Sequence, residues 1–298
     1  MDKLAAMAAF VEIVDCGSLT AAAEALGKAQ PTMVRSLANL EAHLGVRLLR
    51  RTTRRLALTP EGRDYLERCR RILADVDEAE RVLDAAHPAP AGLLRVTAPV
   101  TFGHRHVMPA VTDFVRRWPE VSIDLLLLDR PVNLHEEGID LAVRIGPLAD
   151  STMVALPAGS MRLVVAASPQ LLERHGVPAV PQALASLPCV QFHGGVGVSH
   201  WAFMVEGRRV QVPVSPRLSV NHAPSAADAC AAGLGFGRFL EYQVRDLVQQ
   251  GRLEIVLAAF EPPPQPVSLL TTDARLVSHR LRLFRAALRE ALAPGSQR

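Results

Sequence analysis

The 298-residue sequence predicts an α/β protein with an N-terminal winged helix-turn-helix, a long coiled-coil linker helix and a two-lobed, Rossmann-like domain. Three observations predict it. Short helical stripes followed by an arginine-tipped hairpin occupy the first sixty residues. An apolar seam with spacings of four and three then runs from Tyr65 to Ala86. From Leu93 onward, apolar strand-like runs alternate with helical segments. Hydrophobic residues at 49% can fill several cores, and charged residues at 21% are ordinary for a soluble globular chain.

Leu4, Met7, Val11 and Val14 form the stripe of a first amphipathic helix, which Gly17-Ser18 breaks. A compact alanine-rich helix follows, with Thr20 expected as its N-cap and Gly27 as its stop. A third helix begins at about Pro31, carries Val34, Leu37, Leu40 and Leu44 on one face, and ends at Gly45. Two such helices across a short turn make a helix-turn-helix. The polar side of the second presents Gln30, Thr32, Arg35 and Ser36. Those side chains suit base edges, Gln pairing with adenine and Arg with guanine.

Residues 46–49 and 56–58 read as two short strands around the tip Arg50-Arg51-Thr52-Thr53-Arg54-Arg55, a wing whose arginines suit phosphates or a minor groove. Thr59 and Pro60 then open a helix that runs to about Ala86, roughly 40 Å long at 1.5 Å per residue. Its seam of Tyr65, Cys69, Ile72, Val76, Ala79, Leu83 and Ala86 predicts pairing with a second chain in preference to packing on its own domain. Between Lys28 and Arg71, eleven basic residues face four acidic ones, an attractive surface for polyphosphate although the whole chain carries only +3.

His87-Pro88-Ala89-Pro90-Ala91-Gly92 reads as a hinge, dividing the chain into residues 1–59, a linker helix 60–87 and a third domain 88–298. In that domain strands are expected at 93–98, 121–128, 140–145, 162–167, 189–192, 218–220, 235–239 and 267–270. Helices are expected at 109–117, after Pro169 and Pro181, and at 225–232, 241–250 and 278–291, with a helical turn at 132–137. Continuous apolar strands among helices predict parallel sheets covered on both faces. A segment inserted between two halves of the first unit makes two lobes, residues 92–163 with 267–298 and residues 164–266, crossing near 165–168 and 262–266. Ligands of such sheets sit beyond the strands' carboxyl ends, here between the lobes.

Residues 10–83 resemble the DNA-binding region of LysR-type transcriptional regulators. The stretches that carry the resemblance are Phe10-Val11-Glu12-Ile13-Val14, Gly17-Ser18-Leu19-Thr20-Ala21-Ala22-Ala23-Glu24-Ala25-Leu26, Gln30-Pro31, Leu40-Glu41, Leu44-Gly45-Val46-Arg47-Leu48 and Leu58-Thr59-Pro60-Glu61-Gly62. The second half resembles that family's effector domain, a fold shared with periplasmic solute-binding proteins. It does so through Leu94-Arg95-Val96-Thr97-Ala98-Pro99-Val100-Thr101-Phe102-Gly103, Glu136-Glu137-Gly138-Ile139-Asp140-Leu141-Ala142-Val143-Arg144-Ile145-Gly146 and Ala231-Ala232-Gly233-Leu234-Gly235-Phe236-Gly237. The resemblance implies a sequence-specific regulator of double-stranded DNA, assembled as a homotetramer from coiled-coil dimers and controlled by a small-molecule effector. DNA contacts are then expected from Thr20, Gln30, Pro31, Thr32, Arg35, Ser36, Arg50, Arg51, Arg54 and Arg55. By the same analogy an anionic or hydroxylated effector meets Pro99, Val100, Thr101, Phe102, Asp129, Asn221, His222 and Ala223. Thr101 would donate its hydroxyl there beside the free N–H groups of a helix start. Arg144 either meets a ligand carboxylate or pairs with Asp140, and the pairing is the favoured reading. Two departures stand out. Ala29 replaces a Ser that would cap the third helix, typically worth about 1 kcal/mol, and Val34 removes a hydroxyl from the DNA side.

Rival chemistries have weaker footing. Gly233-Leu234-Gly235-Phe236-Gly237 follows a helix and enters a strand, the reverse of a dinucleotide fingerprint. His193-Gly194-Gly195 is similar to a lipase oxyanion loop, but no G-x-S-x-G elbow accompanies it. His104 and His106 have no third metal ligand at fixed spacing. Cys16, Cys69, Cys189 and Cys230 are scattered, which suits a reducing cytoplasm. Met1-Asp2-Lys3 enters a helix without the look of a cleavable signal, and no apolar run approaches bilayer-spanning length. The expectation is a cytoplasmic regulator with no membrane contact, cofactor, metal or catalytic residue. A solute-binding protein, or an enzyme on a two-lobed α/β fold, is the alternative.

Overall fold

Asp2 starts the first helix by accepting the Ala5 N–H at 3.1 Å, and α1 runs Lys3–Asp15. It buries Ala6, Ala9, Phe10 and Ile13. The inward face is thus turned from the expected stripe, with Met7, Val11 and Val14 at its margins and Leu4 exposed. The second helix, α2 (Leu19–Ala25), is capped by Ser18, whose hydroxyl accepts the Ala21 N–H at 3.0 Å. Thr20, the expected cap, lies inside the helix and faces outward. In α3 (Gln30–Leu44), Ala29 offers no side-chain cap and Gly45 closes the helix in the left-handed region at φ 72°. Met33 is its buried apolar anchor with Leu40, whereas Val34 is exposed. This computed structural model describes residues 1–51, 56–81, 89–148, 153–192, 198–272 and 278–293. By internal packing the chain forms two units, Met1–Leu93 with Glu120–Ser122, and Leu94–Pro119 with Ile123–Arg298.

The wing consists of β1 (Leu49–Arg51) antiparallel to β2 (Leu56–Leu58), with Arg50 opposite Ala57. Its first strand begins three residues later than expected, because the peptide of Leu48 is committed elsewhere. Glu41, a carboxylate buried in α3, accepts the N–H groups of Leu48 at 2.8 Å and Leu49 at 3.1 Å. The Leu48 carbonyl accepts the Thr59 N–H at 3.0 Å. Thr59 donates its hydroxyl to the Arg47 carbonyl at 2.7 Å and accepts the Gly62 N–H at 2.9 Å, capping α4 (Pro60–Arg81). A Cβ on Gly62 would stand 2.0 Å from the Leu48 carbonyl oxygen, so only glycine permits this approach.

The start of α4 belongs to the core of the first unit. Leu66 and Cys69 are buried with Phe10, Met33 and Leu48, Tyr65 packs on the Phe10 ring at 5.9 Å, and Arg70 pairs with Asp15 of α1. The expected seam therefore divides. Tyr65 and Cys69 turn into their own domain, while Ile72 remains 39% exposed. Residues 82–88, with Leu83 and Ala86, lie outside the described residues, as do 52–55 of the wing tip.

The second unit holds two five-stranded sheets. The first contains β3 (Gly92–Ala98), β4 (Val121–Leu127), β5 (Leu141–Ile145), β6 (Val154–Met161) and β14 (Gln265–Thr271), in the order β4-β3-β5-β14-β6. The second contains β7 (Leu163–Ala167), β8 (Cys189–Phe192), β11 (Pro216–Val220), β12 (Phe236–Leu240) and β13 (Glu254–Val256), in the order β11-β8-β12-β7-β13. Helices α5 (Val100–Phe102) and α6 (Met108–Arg117), joined through a π-helical stretch Gly103–Val107, follow β3 without a break, so the helix starts well before the expected residue 109. The others are α7 (Pro169–His175), α8 (Ala223–Ala231), α9 (Glu241–Gln249) and α10 (His279–Ala291). Where a helical turn is expected at 132–137, residues 134–138 form a turn in which the Glu137 N–H donates to the Asn133 carbonyl at 2.9 Å, as in one turn of helix.

Neither sheet is purely parallel. β3 runs parallel to β5, and β8 to β11 and β12, but β14 is antiparallel to β5 and β6, and β7 to β12 and β13. The strands that carry the chain across between sheets must oppose their neighbours, and an apolar run does not reveal direction. The outward crossing is at Arg162, between β6 and β7, earlier than the expected 165–168; the return lies between β13 and β14. Arg162 and Glu261 join the two passages by paired hydrogen bonds of 3.0 and 2.8 Å. Three features go beyond the sequence expectations: β13, the edge strand β6, and the hairpin of β9 (Ser199–Val205) and β10 (Arg208–Val214). The hairpin turns through Glu206 and Gly207, both at positive φ, and packs Trp201, Phe203, Val212 and Val214 against Phe236.

Removing the Glu41 carboxylate leaves two buried N–H groups without acceptors. Glu41→Ala is therefore expected to destabilise the first unit by about 2–4 kcal/mol. Arg47→Ala, whose side chain is 83% exposed beside the same carboxylate, should cost under about 1 kcal/mol. Urea unfolding followed by circular dichroism checks both; equal losses would remove the buried carboxylate from its assigned place.

Candidate nucleic-acid interface and interlobe cavity

The outer side of α3 carries the expected reading residues. Gln30, Pro31, Thr32 and Arg35 are exposed and Ser36 is half-buried; Thr20 is exposed on the neighbouring α2. Their backbone is held rigidly from behind by Met33, Leu40 and Glu41. A shallow groove of about 310 Å³ between the start of α1 and α3 is lined by Lys28, Thr32, Arg35, Ser36 and Asn39 among others. Lys28 and Asn39 are additions to the residues that the sequence singles out. The signal for Asn39 is its helical spacing, since 32, 35, 36 and 39 share one side of a helix. Arg50 is exposed on β1; the side chain of Arg51, and Arg54 and Arg55, lie outside the described residues.

Between the two lobes of the second unit lies a cavity of about 500 Å³. Each wall comes from strand ends and the turns beyond them. β3 supplies Pro99 and β4 supplies Asp129 and Arg130, while β5 supplies Arg144 to Leu148. From the opposite lobe, β8 supplies Phe192, β12 supplies Leu240, and the start of α9 supplies Tyr242 and Gln243. Of the eight residues expected to meet an effector, Pro99 and Asp129 line this space. Val100, Thr101, Asn221 and His222 are not in its lining, and His222 bonds Ser225 at 2.8 Å. Phe102 is fully buried, its ring 4.8 Å from His106 and 5.4 Å from Tyr242, and Ala223 is buried at the base of α8. Both belong to core packing. At the helix start after β3 the Asp129 carboxylate accepts the Val100 N–H at 3.0 Å. One of the N–H groups expected to await an anion is thus already taken.

Electrostatics in the cavity are mostly settled internally. Arg130 is held by Glu137 through two bonds of 2.8 and 2.7 Å, which lower the Glu137 pKa. Arg144 does not pair with Asp140; that carboxylate accepts the Arg95 N–H at 2.8 Å. Beside the cavity the lobes are bridged by Arg105, which bonds Asp246 at 2.6 Å and the Tyr242 carbonyl at 3.3 Å. His106 is enclosed there by two aromatic rings, and burial first, then Arg245 and Arg105, pushes its pKa down. Among the described residues, no group of three or more His, Cys, Asp or Glu is placed to hold a metal, and no helix is long and apolar enough to cross a membrane. Gly235 lies where a Cβ would stand 2.7 Å from the Pro188 carbonyl, a packing reason for part of the glycine run. Residues 193–195 lie outside the described residues.

Two family models match the chain. One, a bacterial regulatory helix-turn-helix protein of the lysR family, covers residues 4–63, and the LysR substrate binding domain covers residues 87–293. The HTH-type transcriptional repressor PA14_22550 of Pseudomonas aeruginosa is 35% identical, over 95% of this chain and 90% of its own. The solved structure of CrgA, a LysR-type transcriptional regulator from Neisseria meningitidis, matches with TM-score 0.62 at 31% identity over 97% of this chain and 99% of that one. The full-length virulence activator AphB of Vibrio cholerae matches with TM-score 0.60 at 25% identity, covering 96% and 98%.

A histidine whose folded-state pKa lies below its ordinary 6.5 takes up its proton more readily when unfolded. Its contribution to stability is present above that value and declines as pH falls through it. The thermal midpoint is thus expected to drop on acidification from pH 7.5 to 5.5, and His106→Phe should shrink that drop. Differential scanning calorimetry at several pH values reads it; identical slopes would mean His106 does not titrate in this window.

Proposed function

The chain belongs to the LysR family of bacterial transcriptional regulators, and from that premise we propose which of its residues read DNA and where its effector acts. It is a DNA-binding regulator carrying an effector-binding domain. The observation that carries the finer reading is the exposure of Gln30, Thr32 and Arg35 along one side of α3, above a groove that adds Lys28 and Asn39. In this reading Gln30, Arg35 and Asn39 meet base edges in a major groove, with Pro31, Thr32, Ser36 and Thr20 against the backbone. Arg50, Arg51, Arg54 and Arg55 of the wing add phosphate or minor-groove contacts. Without a carboxylate or hydroxyl at position 29, the first turn of α3 has no side chain competing for its N–H groups, which suits a phosphate.

The proposed division is a DNA-binding domain 1–59, a linker helix 60–87 and an effector domain 88–298. Residues 60–71 of that helix also serve the DNA-binding core, so dimerisation falls to Ile72, Val76 and the seam beyond. Two dimers then make the homotetramer. The effector is a small anionic or hydroxylated metabolite held between the lobes, with Pro99 and Asp129 among its contacts. It acts by favouring one lobe arrangement over another, which alters operator spacing or bend only if its affinity differs between the two. The cytoplasm is the proposed location, and regulation without catalysis the proposed role.

Arg35→Ala is expected to cost roughly 1–3 kcal/mol on the operator and to relax sequence preference. Arg54→Ala should weaken binding more evenly and flatten the salt dependence. With the operator taken from genome-wide recovery of bound DNA, a salt-titrated mobility-shift assay tests both, and wild-type behaviour in both would sink the assignment. Ile72→Glu should give a folded, largely monomeric protein with poor operator binding, because the new charge would be buried without a partner. An unchanged sedimentation profile would move the interface elsewhere.

A further inference from the structure

Arg144 is the penultimate residue of the central strand β5, flanked there by β14, and lines the interlobe cavity half-buried. One nitrogen, Nη1, donates to the adjacent Val143 carbonyl at 3.0 Å. The other, Nη2, is closed off from solvent and meets no hydrogen-bond acceptor among the described residues. The carboxylates around it are committed: Asp140 to the Arg95 N–H, Glu137 to Arg130, and one oxygen of Asp129 to the Val100 N–H. Burial draws the Arg144 pKa down, while the charges of Asp129 and Glu137 oppose that fall. A guanidinium kept from water with a donor unfilled is costly in a folded protein, and its planar fork matches a carboxylate in two parallel bonds.

The rest of the wall narrows the ligand. Val132, Leu134, Leu148 and Met153 from one lobe face a space that Phe192 and Leu240 close from the other. The carboxylate of Asp129 stands on the same wall and disfavours a second negative group. Resting on the reading that the effector binds between the lobes, we propose that Arg144 is its carboxylate receptor and that the effector is a monocarboxylate with an apolar aromatic or aliphatic body. A cavity of about 500 Å³ accommodates such a molecule with its body across both lobes, and a turn of the half-buried Arg144 side chain toward that space brings Nη2 to its acid group.

The test is calorimetric titration of the full-length protein with paired probes: phenylacetate, benzoate, hexanoate and octanoate, each beside its primary amide, with adipate as a dicarboxylate. At least one carboxylate should bind tenfold or more tightly than its amide, and adipate more weakly than hexanoate. In Arg144→Gln that preference should vanish while amide affinity stays within about twofold. Arg144→Lys, which keeps the charge but not the fork, should lose much of the preference and serves if the glutamine variant does not fold. No carboxylate preference in any pair, or full preference in both Arg144 variants, overturns the proposal. Leu148→Trp, which fills the cavity from a partly exposed position, separates the two layers. Carboxylate binding that survives it overturns the interlobe reading and this inference with it. Binding lost in Leu148→Trp but unchanged in Arg144→Gln overturns the Arg144 assignment alone.

Discussion

The first unit depends on how the peptide of Leu48 is satisfied. Its N–H goes back to Glu41 of α3, and its carbonyl goes forward to Thr59 at the start of α4. The wing begins at the next residue. Three elements that would otherwise meet at loose loops share one residue as their junction, and Gly62 lets the linker helix approach without displacing it. A buried carboxylate with two N–H donors holds its geometry tightly because every alternative leaves a polar group unpaired in the core. The angle between α3 and the wing is set there, away from the surface either presents.

This explains why the strings Leu40-Glu41 and Leu58-Thr59-Pro60-Glu61-Gly62 are conspicuous in the sequence although neither lies on the exposed side of α3 that carries Gln30, Thr32 and Arg35. They are framework, legible as a motif but not as a mechanism until the Leu48 contacts are seen. Other elements are legible from physics alone. Gly45 as a left-handed stop, Thr59 with Pro60 as a helix opening and Ser278 as the cap of α10 all follow from local chemistry. Between Ser18 and Thr20, either hydroxyl could begin α2, and the burial of Leu19 against the core decides for the first. β6 is hidden because Pro157 and Gly159 argue against a strand, yet both are tolerated at a sheet edge. The hairpin β9–β10 turns on Glu206-Gly207, a weaker signal than Asn-Gly or Asp-Gly.

The cavity is legible in principle but not in its detail. Ligand space does open beyond strand ends, but the contributing strands are β5, β8, β12 and β14, together with the turns after β3 and β4. β11, which leads into Asn221, is not among them. A residue following a strand has two uses, to face a ligand or to tie the next helix down, and type alone does not separate them. Asp129 does both, lining the cavity while capping the helix after β3. Arg144 is the reverse case. Its spacing from Asp140 suggests an internal pair, but alternate strand residues share a face only while the strand continues, and Asp140 precedes β5 and turns to Arg95.

The Arg162–Glu261 pair has a mechanical consequence. The lobes are connected by two passages of chain, and this pair fastens those passages to each other where they leave the first sheet. Two strips pinned side by side behave as a knife-edge: they permit tilting about the line through the pin and resist sliding along it. With the Arg162 side chain 53% exposed, the pair favours tilting over sliding by no more than about 1 kcal/mol, and the Arg105 contacts beside the cavity add to it. A molecule held between the lobes, as proposed above, would act as a shim, through its thickness as well as through its contacts.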